Sequence, residues 1–179
     1  MFNFPFLRYV SGAARPLLAS ASGTVAVELA LLAPVFLAMV FGILEIGFVM
    51  STNAVMDGAA RDAARQIRTG QAQLSGDPVG AFKTALCTEL TGYIACGDLV
   101  FDVRSFATFS AVALPPIYDA AGAPQTQFTP GGPGQIVAAR ISYRYRFIAP
   151  LVGRMFSTDG SNSILLTSTV VFKNEPYSG

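Results

Sequence analysis

The hydrophobic and polar positions along the chain first show one long apolar segment. Residues 29–44 carry no charged side chain, and the apolar run resumes after Glu45 and continues to residue 50. A helix of about 20 apolar residues crosses the hydrocarbon core of a bilayer, which is about 30 Å thick. The pattern therefore predicts one N-terminal helix over residues 24–69, which crosses a membrane at about residues 29–50 and continues beyond it.

Two residues inside the predicted span are unusual for a membrane helix. Pro34 removes one backbone hydrogen bond and permits a kink, which membrane helices tolerate. Glu45 has two interpretations. Either it lies at the outer interface, where a carboxylate costs little, or it pairs with a platform protein or another subunit.

Small residues recur along the helix after the span. They are Ala54, Gly58, Ala59, Ala63 and Ala64. Small residues let helices approach closely, so this face is suited to packing in a filament or complex. The alternative is an ordinary amphipathic helix whose other face carries the charged residues.

The second half of the chain changes from helical to strand periodicity. Asp77 and Pro78 predict the start of a second helix, after a break at residues 70–76. Beyond Cys96, apolar and polar residues alternate in LVFDVRSFATF, QIVAARISYRYRF and SILLTSTVVF. We therefore predict an α+β fold. The long helix precedes a head domain, residues 70–179, in which a short helix packs on a three- to four-stranded antiparallel sheet.

Three arginines, Arg140, Arg144 and Arg146, lie on one side of the second of these strands. The two tyrosines of the strand point to the opposite side, so they cannot serve as stacking platforms for nucleic acid among the arginines. We expect a solvated face of the sheet. The preceding loop, residues 114–134, is long and rich in proline and glycine, which favours either a contact surface or a flexible hairpin tip.

Composition restricts the function further. Hydrophobic residues make up 52% and charged residues 13%, which fits a chain with one membrane span. The net charge of +1 gives no basic footprint for nucleic acid. The chain has no histidine, so the commonest general base and metal ligand are missing. Asp98 and Asp102 are too few acids for a carboxylate hydrolase, and we expect no catalytic residues, metal, cofactor or enzymatic activity.

The two cysteines, Cys87 and Cys96, are too few for a zinc site without histidine. If this region is exported, a disulfide between them is expected, because exported proteins fold in an oxidising compartment. The alternative is a pair of buried free thiols.

The flanks of the span predict its orientation. Before Gly23 the only charged side chains are Arg8 and Arg15, whereas charges of both signs follow the span. The positive-inside rule therefore places the N-terminus in the cytoplasm and the head domain in the periplasm. The small-residue motif at 19–21 precedes the apolar segment, so ordinary signal peptidase is not expected to use it.

A glycine and a carboxylate mark the beginning of the apolar helix. A basic leader, residues 1–23, ends in Gly23; TVAV, Glu28 and the apolar run follow. This resembles the processing site of type IV prepilins, in which a dedicated peptidase cuts after the glycine. The resemblance implies cleavage between Gly23 and Thr24, and pairing of Glu28 with a cation of a neighbouring subunit during assembly. Alternatively, Glu28 is an interfacial glutamate favoured by the helix dipole.

The longer stretch from the glycine to the end of the helix is similar to the signature of the TadE-like pseudopilins of the tight-adherence (Tad) pilus system. The matching positions are Gly23, Glu28, Pro34, Gly42, Glu45, Gly47 and residues 59–65. Leu29 departs from the family, which more often has phenylalanine there, and the change is conservative.

The resemblance implies a minor pilin, or pseudopilin, that is processed by prepilin peptidase and acts in pilus assembly, surface adhesion and biofilm formation. Its expected partners are that peptidase, other Tad pseudopilins, the major pilin and the inner-membrane assembly platform. Its expected location is the bacterial inner membrane, as a single-pass protein, or the pilus itself. The alternative is an uncleaved, signal-anchored envelope protein with a small periplasmic binding domain.

Overall fold

The computed structural model describes residues 21–157 and 160–177. Most of the predicted leader, residues 1–23, lies outside the described residues. The chain divides into two compact units, Met1–Leu44 and Glu45–Gly179.

Helix α1, Ala21–Arg68, continues through the boundary between the two units. Its sequence is rich in alanine and leucine, which have high helix propensity, and Pro34 lies inside it. The predicted long N-terminal helix is therefore confirmed. The chain leaves the helix at Gly70, which has φ of 80°, and a Cβ atom there would collide with the ring of Tyr177.

In the first unit, α1 exposes apolar side chains around its whole circumference. The exposed set includes Val25, Val27, Leu29, Leu31, Leu32, Val35, Phe36, Met39, Phe41, Ile43 and Leu44. A helix that is apolar all round is typical of a membrane span. Residues 23–44 extend about 33 Å at 1.5 Å per residue, enough to cross a hydrocarbon core of about 30 Å. Among the described helices, α1 is the one long and apolar enough for this, and it is compatible with a single-pass anchor.

The second unit continues with two short helices. Residues 70–76, predicted as a break, contain the one-turn helix α2, Gln71–Leu74. Helix α3, Pro78–Leu90, begins as predicted, because the Asp77 side chain accepts a hydrogen bond from the Gly80 amide at 2.9 Å. A 3₁₀ turn, Cys96–Asp98, leads from this helix into the sheet.

The sheet has three antiparallel strands in the order β1-β2-β3. They are β1, Leu99–Phe106, β2, Ile136–Arg146, and β3, Ser163–Lys173. A second 3₁₀ turn, Phe109–Ala111, follows β1, and the short helix α4, Pro150–Phe156, connects β2 to β3. The predicted α+β fold, with a small antiparallel sheet after the long helix, is confirmed.

The hydrophobic core lies between one face of the sheet and helices α1 and α3. Its buried residues include Met56, Ala60, Ala63, Ile67, Phe82, Leu86, Leu90, Val137, Ala139 and Ile141. The period of two along β2 places every second side chain on this face, as the alternation predicted. Burying each large apolar side chain contributes about 1.5–3 kcal/mol, which makes this core the main source of stability.

The small-residue face of α1 has its packing partner within the chain. Ala59, Ala63 and Ala64 are at most 3% exposed and pack inside the second unit, Glu45–Gly179, which we name the head unit. Their short side chains let the helix backbone approach the rest of the domain closely. The interpretation of this face as a filament contact is therefore wrong for these alanines, although Ala54 remains exposed.

The long loop before β2 is ordered along the outer edge of β1. The Val103 amide donates to the Gln127 carbonyl at 2.7 Å, and the Thr129 amide donates to the Val103 carbonyl at 2.8 Å. Between these bonds Phe128 packs against Phe82, with ring centroids 5.6 Å apart. The loop therefore covers a strand edge that would otherwise expose unpaired backbone groups.

Candidate functional site

The predicted processing site lies in the first turns of α1. Gly23 is half-buried, whereas Thr24 and the residues that follow it are exposed. Both residues have helical backbone geometry. On the C-terminal side of the predicted cut, Thr24 is therefore accessible in the first turns of the helix.

Glu28 lies one turn beyond Thr24 and is exposed. Within the described part of the chain, its carboxylate has no hydrogen-bonding or ionic partner. On insertion scales, an acidic residue costs about 2.5–3.5 kcal/mol at the centre of a membrane span and less toward the interface. A partner from outside the described residues would therefore lower the free-energy cost of placing the Glu28 carboxylate in the membrane.

Pro34 is exposed in the interior of α1. Proline has no amide hydrogen, so it cannot donate to the carbonyl of Ala30 one turn earlier. That carbonyl is left without its usual intrahelical donor.

Glu45 differs from Glu28, because its side chain is enclosed by the head unit. The residue is 4% exposed. Its Oε1 accepts the phenolic O–H of Tyr145 at 2.9 Å and the amide of Ile148 at 2.9 Å. Its Oε2 accepts the amide of Ala149 at 3.1 Å. Three donors from the end of β2 and the turn that follows it therefore surround one carboxylate, an arrangement that we name the Glu45 latch.

The Glu45 latch satisfies a group that is expensive to bury alone. Hydrogen bonds to a charged acceptor contribute about 1.5–3 kcal/mol each, and together they offset the cost of removing the carboxylate from water. The pKa of Tyr145 is raised to about 12, mainly because the phenol is buried. The hydrogen bond to Glu45 and the negative charge of Glu45 raise it further. Tyr145 therefore keeps its proton and remains a donor across the physiological range.

The residues that hold the donors in place come from the β2–β3 connection. Tyr145 and Phe147 point into the domain, with ring centroids 5.6 Å apart. Asn162 donates from its side-chain Nδ2 to the Phe147 carbonyl at 2.9 Å, and the main-chain carbonyl of Asn162 accepts the Phe147 amide at 3.0 Å. These bonds fix the turn that presents the amides of residues 148 and 149 to Glu45.

The structure thus gives Glu45 partners that neither sequence interpretation named. They lie 100 to 104 residues away along the chain, and no local spacing could indicate them. The one available signal in the sequence was Tyr145, a tyrosine near the end of a strand and on its buried face. The hydroxyl of a buried tyrosine usually has a hydrogen-bond acceptor.

A second buried charge cluster corrects the prediction for the arginine face. Arg140 is 9% exposed, and its guanidinium donates to Asp102 at 3.0 Å and to the Pro115 carbonyl at 2.7 Å. The expectation of a solvated Arg140 is wrong, because the long loop folds over this part of the sheet. Arg144 and Arg146 are exposed, as expected.

Both carboxylate oxygens of Asp102 have partners in this cluster. Its carboxylate also pairs with Arg104 at 3.0 Å and accepts the Gln127 amide at 2.8 Å, whereas Asp98 is exposed. These contacts make Asp102 a support for the fold of the long loop. In residues 21–157 and 160–177, no group of three or more histidine, cysteine, aspartate or glutamate side chains is placed to hold a metal ion.

Cys87 near the end of α3 and Cys96 before β1 form a disulfide, with Cα atoms 5.6 Å apart. The predicted pairing is confirmed. The bond closes a short loop and ties α3 to the first strand, and it is typical of proteins that fold in an oxidising compartment.

No curated protein and no solved structure matches the chain. Residues 23–65 match the family model of the TadE-like proteins, a segment that begins at Gly23 and includes Glu28, Pro34 and Glu45. The resemblance predicted from the sequence is therefore confirmed over this segment, which is about a quarter of the chain.

Proposed function

We propose that this chain is a minor pilin, or pseudopilin, of a Tad-type pilus. A span at about residues 29–50 holds it in the inner membrane, and prepilin peptidase cuts it between Gly23 and Thr24. The subunit has no enzymatic activity and acts in pilus assembly, and through the pilus in surface adhesion and biofilm formation. The observation that carries the proposal is the TadE-like match, which begins at Gly23 and covers most of the long apolar helix.

The state of Glu28 supports this assignment. Of the two glutamates in the apolar part of α1, Glu45 is satisfied within the chain and Glu28 is exposed. Cleavage after Gly23 creates an α-amine at Thr24, and such an amine on a neighbouring subunit is a cation of the right charge for Glu28. Pairing in an apolar surrounding is strong, so it favours one helix register during assembly.

The disulfide and the flanking charges support the orientation. Arg8 and Arg15 precede the span, which favours a cytoplasmic N-terminus. The Cys87–Cys96 disulfide is suited to an oxidising periplasm. The partners in this proposal are the prepilin peptidase, other Tad pseudopilins, the major pilin and the assembly platform of the inner membrane.

The test is the N-terminal mass of the chain recovered from membranes of cells with and without the prepilin peptidase. We expect a chain that begins at Thr24 only when the peptidase is present. Gly23→Val should block the cut, because the side chain would occupy the peptidase subsite for glycine. Gly58→Val is the control, since a Cβ atom at Gly58 meets open space.

A chain that begins at Met1 in both kinds of cell would contradict the proposal. It would leave the uncleaved, signal-anchored envelope protein as the function that fits the fold.

A further inference from the structure

We propose that helix α4 and the turn before it lie in the surface of the lipid bilayer and seat the head unit on the membrane. The inference rests on the proposed membrane anchoring of α1, but not on cleavage or on a pilus. The surface consists of Ile148, Leu151, Met155 and Phe156, which we name the α4 patch.

The α4 patch is apolar and open to solvent in the isolated chain. Ile148 is 77% exposed, Leu151 60%, Met155 76% and Phe156 49%. Four large apolar residues within nine positions form a cluster, in contrast to the scattered exposed apolar residues of ordinary surfaces. Leu151 and Met155 are four residues apart and therefore share one face of the helix.

The patch cannot turn inward, because the other side of α4 is fixed. Val152 and Gly153 are buried. Gly153 packs so closely on Asn162 that a Cβ atom there would collide with the Asn162 side chain. The helix is therefore held with Leu151 and Met155 facing outward.

The Glu45 latch ties the patch to the residue that follows the apolar first unit along the chain. Residues 23–44 alone account for about 33 Å of helix, which is the thickness of a hydrocarbon core. Glu45 is the next residue, and its carboxylate binds the amides of Ile148 and Ala149 directly. The patch is therefore held beside a residue that directly follows, along the chain, an apolar segment long enough to cross the membrane.

The charges beside the patch fit an anionic lipid surface. Arg154 lies between Leu151 and Met155 in α4 and is exposed, and Arg146 is exposed two residues before Ile148. A long arginine side chain can lay its stem on the acyl chains and hold its guanidinium among phosphate groups. An apolar helical face with arginines on its border is typical of helices that lie in a membrane interface. Continuity with the span and these arginines together favour lipid over a protein partner.

The test measures the depth of single fluorophores in proteoliposomes of the full chain. The vesicles contain phosphatidylethanolamine and phosphatidylglycerol with brominated acyl chains, which quench fluorophores in the hydrocarbon. Since Cys87 and Cys96 are joined in a disulfide, Met155→Cys provides a single thiol for labelling. Leu74→Cys is the matched control, because Leu74 is an exposed apolar residue that follows α1 at its far end, about 35 Å of helix from Glu45. Phe36→Cys reports whether the span itself is inserted.

We expect bromine to quench the label at position 155 within about twofold of the label at position 36, and to leave the label at position 74 unaffected. If position 36 is quenched while the label at 155 is unquenched and open to aqueous iodide, the α4 patch faces water and the inference is wrong. If the label at 155 is shielded from both quenchers, a second copy of the chain covers the patch, which also contradicts a lipid contact. If position 36 itself is not quenched, the membrane anchoring in the proposed function fails.

Discussion

Tyr145 donates its phenolic O–H to the Glu45 carboxylate over 2.9 Å, across 100 residues of sequence. Glu45 lies in the segment that matches the TadE-like proteins, whereas Tyr145 lies in the head, outside that segment. The contact therefore joins the part of the chain that resembles a known family to the part that does not. It gives the second glutamate of the apolar helix a structural role in this chain.

Removing the tyrosine donor should destabilise the head unit. We expect Tyr145→Phe to lower the free energy of unfolding by about 1.5–3 kcal/mol, because a buried charged acceptor loses one of its three donors. The measurement is a urea titration of the full chain in detergent, followed by near-ultraviolet circular dichroism. Tyr143→Phe is the control on the same strand, and we expect a change within about 0.5 kcal/mol. Equal effects of the two variants would contradict the role of the Glu45 latch.

The stability of the head should also fall at alkaline pH. The ordinary pKa of tyrosine is 10.0, and that of Tyr145 is raised to about 12. Between these values the unfolded chain has lost the proton that the folded chain retains. Stability is therefore full below pH 10 and falls as the pH rises toward 12, by up to about 2–3 kcal/mol. Unfolding titrations at a series of pH values should show this decrease in the wild type and in Tyr143→Phe, and a smaller one in Tyr145→Phe.

Substitutions at the two glutamates of α1 should have different effects: one on the stability of the head unit and the other on pilus assembly. Glu45→Gln should lower the free energy of unfolding of the head by about 2 kcal/mol, because an amide cannot accept from all three donors. Glu28→Gln should leave the unfolding of the head unchanged, since Glu28 is exposed, but should reduce pilus assembly. The measurements are urea unfolding and the amount of sheared surface pili. A normal amount of surface pili in the Glu28→Gln strain would contradict the proposed role of this carboxylate in assembly.

The buried ion pair under the long loop gives another stability test. Arg140→Ala should destabilise the head by about 3 kcal/mol, because it leaves the Asp102 carboxylate buried without its second arginine. Arg146→Ala, an exposed arginine on the same strand, should change stability by no more than about 0.5 kcal/mol. Limited proteolysis of the Arg140→Ala protein should cut first in residues 114–134, which lose their contact through Pro115. Equal protease resistance in the two variants would contradict this.

The disulfide should stabilise the head by reducing the conformational entropy of the unfolded chain. Replacing Cys87 and Cys96 together with alanine should lower the free energy of unfolding by about 2–3 kcal/mol, since the open chain has more conformations to lose. The check is urea unfolding of the variant beside the wild type with and without reductant. Reductant should shift the wild type to the midpoint of the variant and should leave the variant unchanged.

Local sequence patterns were enough to predict much of this protein. The apolar run, the strand alternation and the Asp77–Pro78 helix start concern residues at most a few positions apart. Their periods follow directly from backbone geometry. The Cys87–Cys96 pair was likewise visible in sequence, because it depends on residue type and short spacing.

Only the tertiary structure decided what the polar and small residues contact. Glu45 was expected to face an interface or another protein, and it binds the end of a strand from its own chain. Arg140 was expected to be solvated, and the loop covers it, whereas Arg146 on the same strand stays exposed. Sequence periodicity determines which face of an element a side chain occupies. What covers that face depends on packing between residues that are 25 positions apart for Arg140 and Pro115 and 100 positions apart for Tyr145 and Glu45, and no local spacing records it.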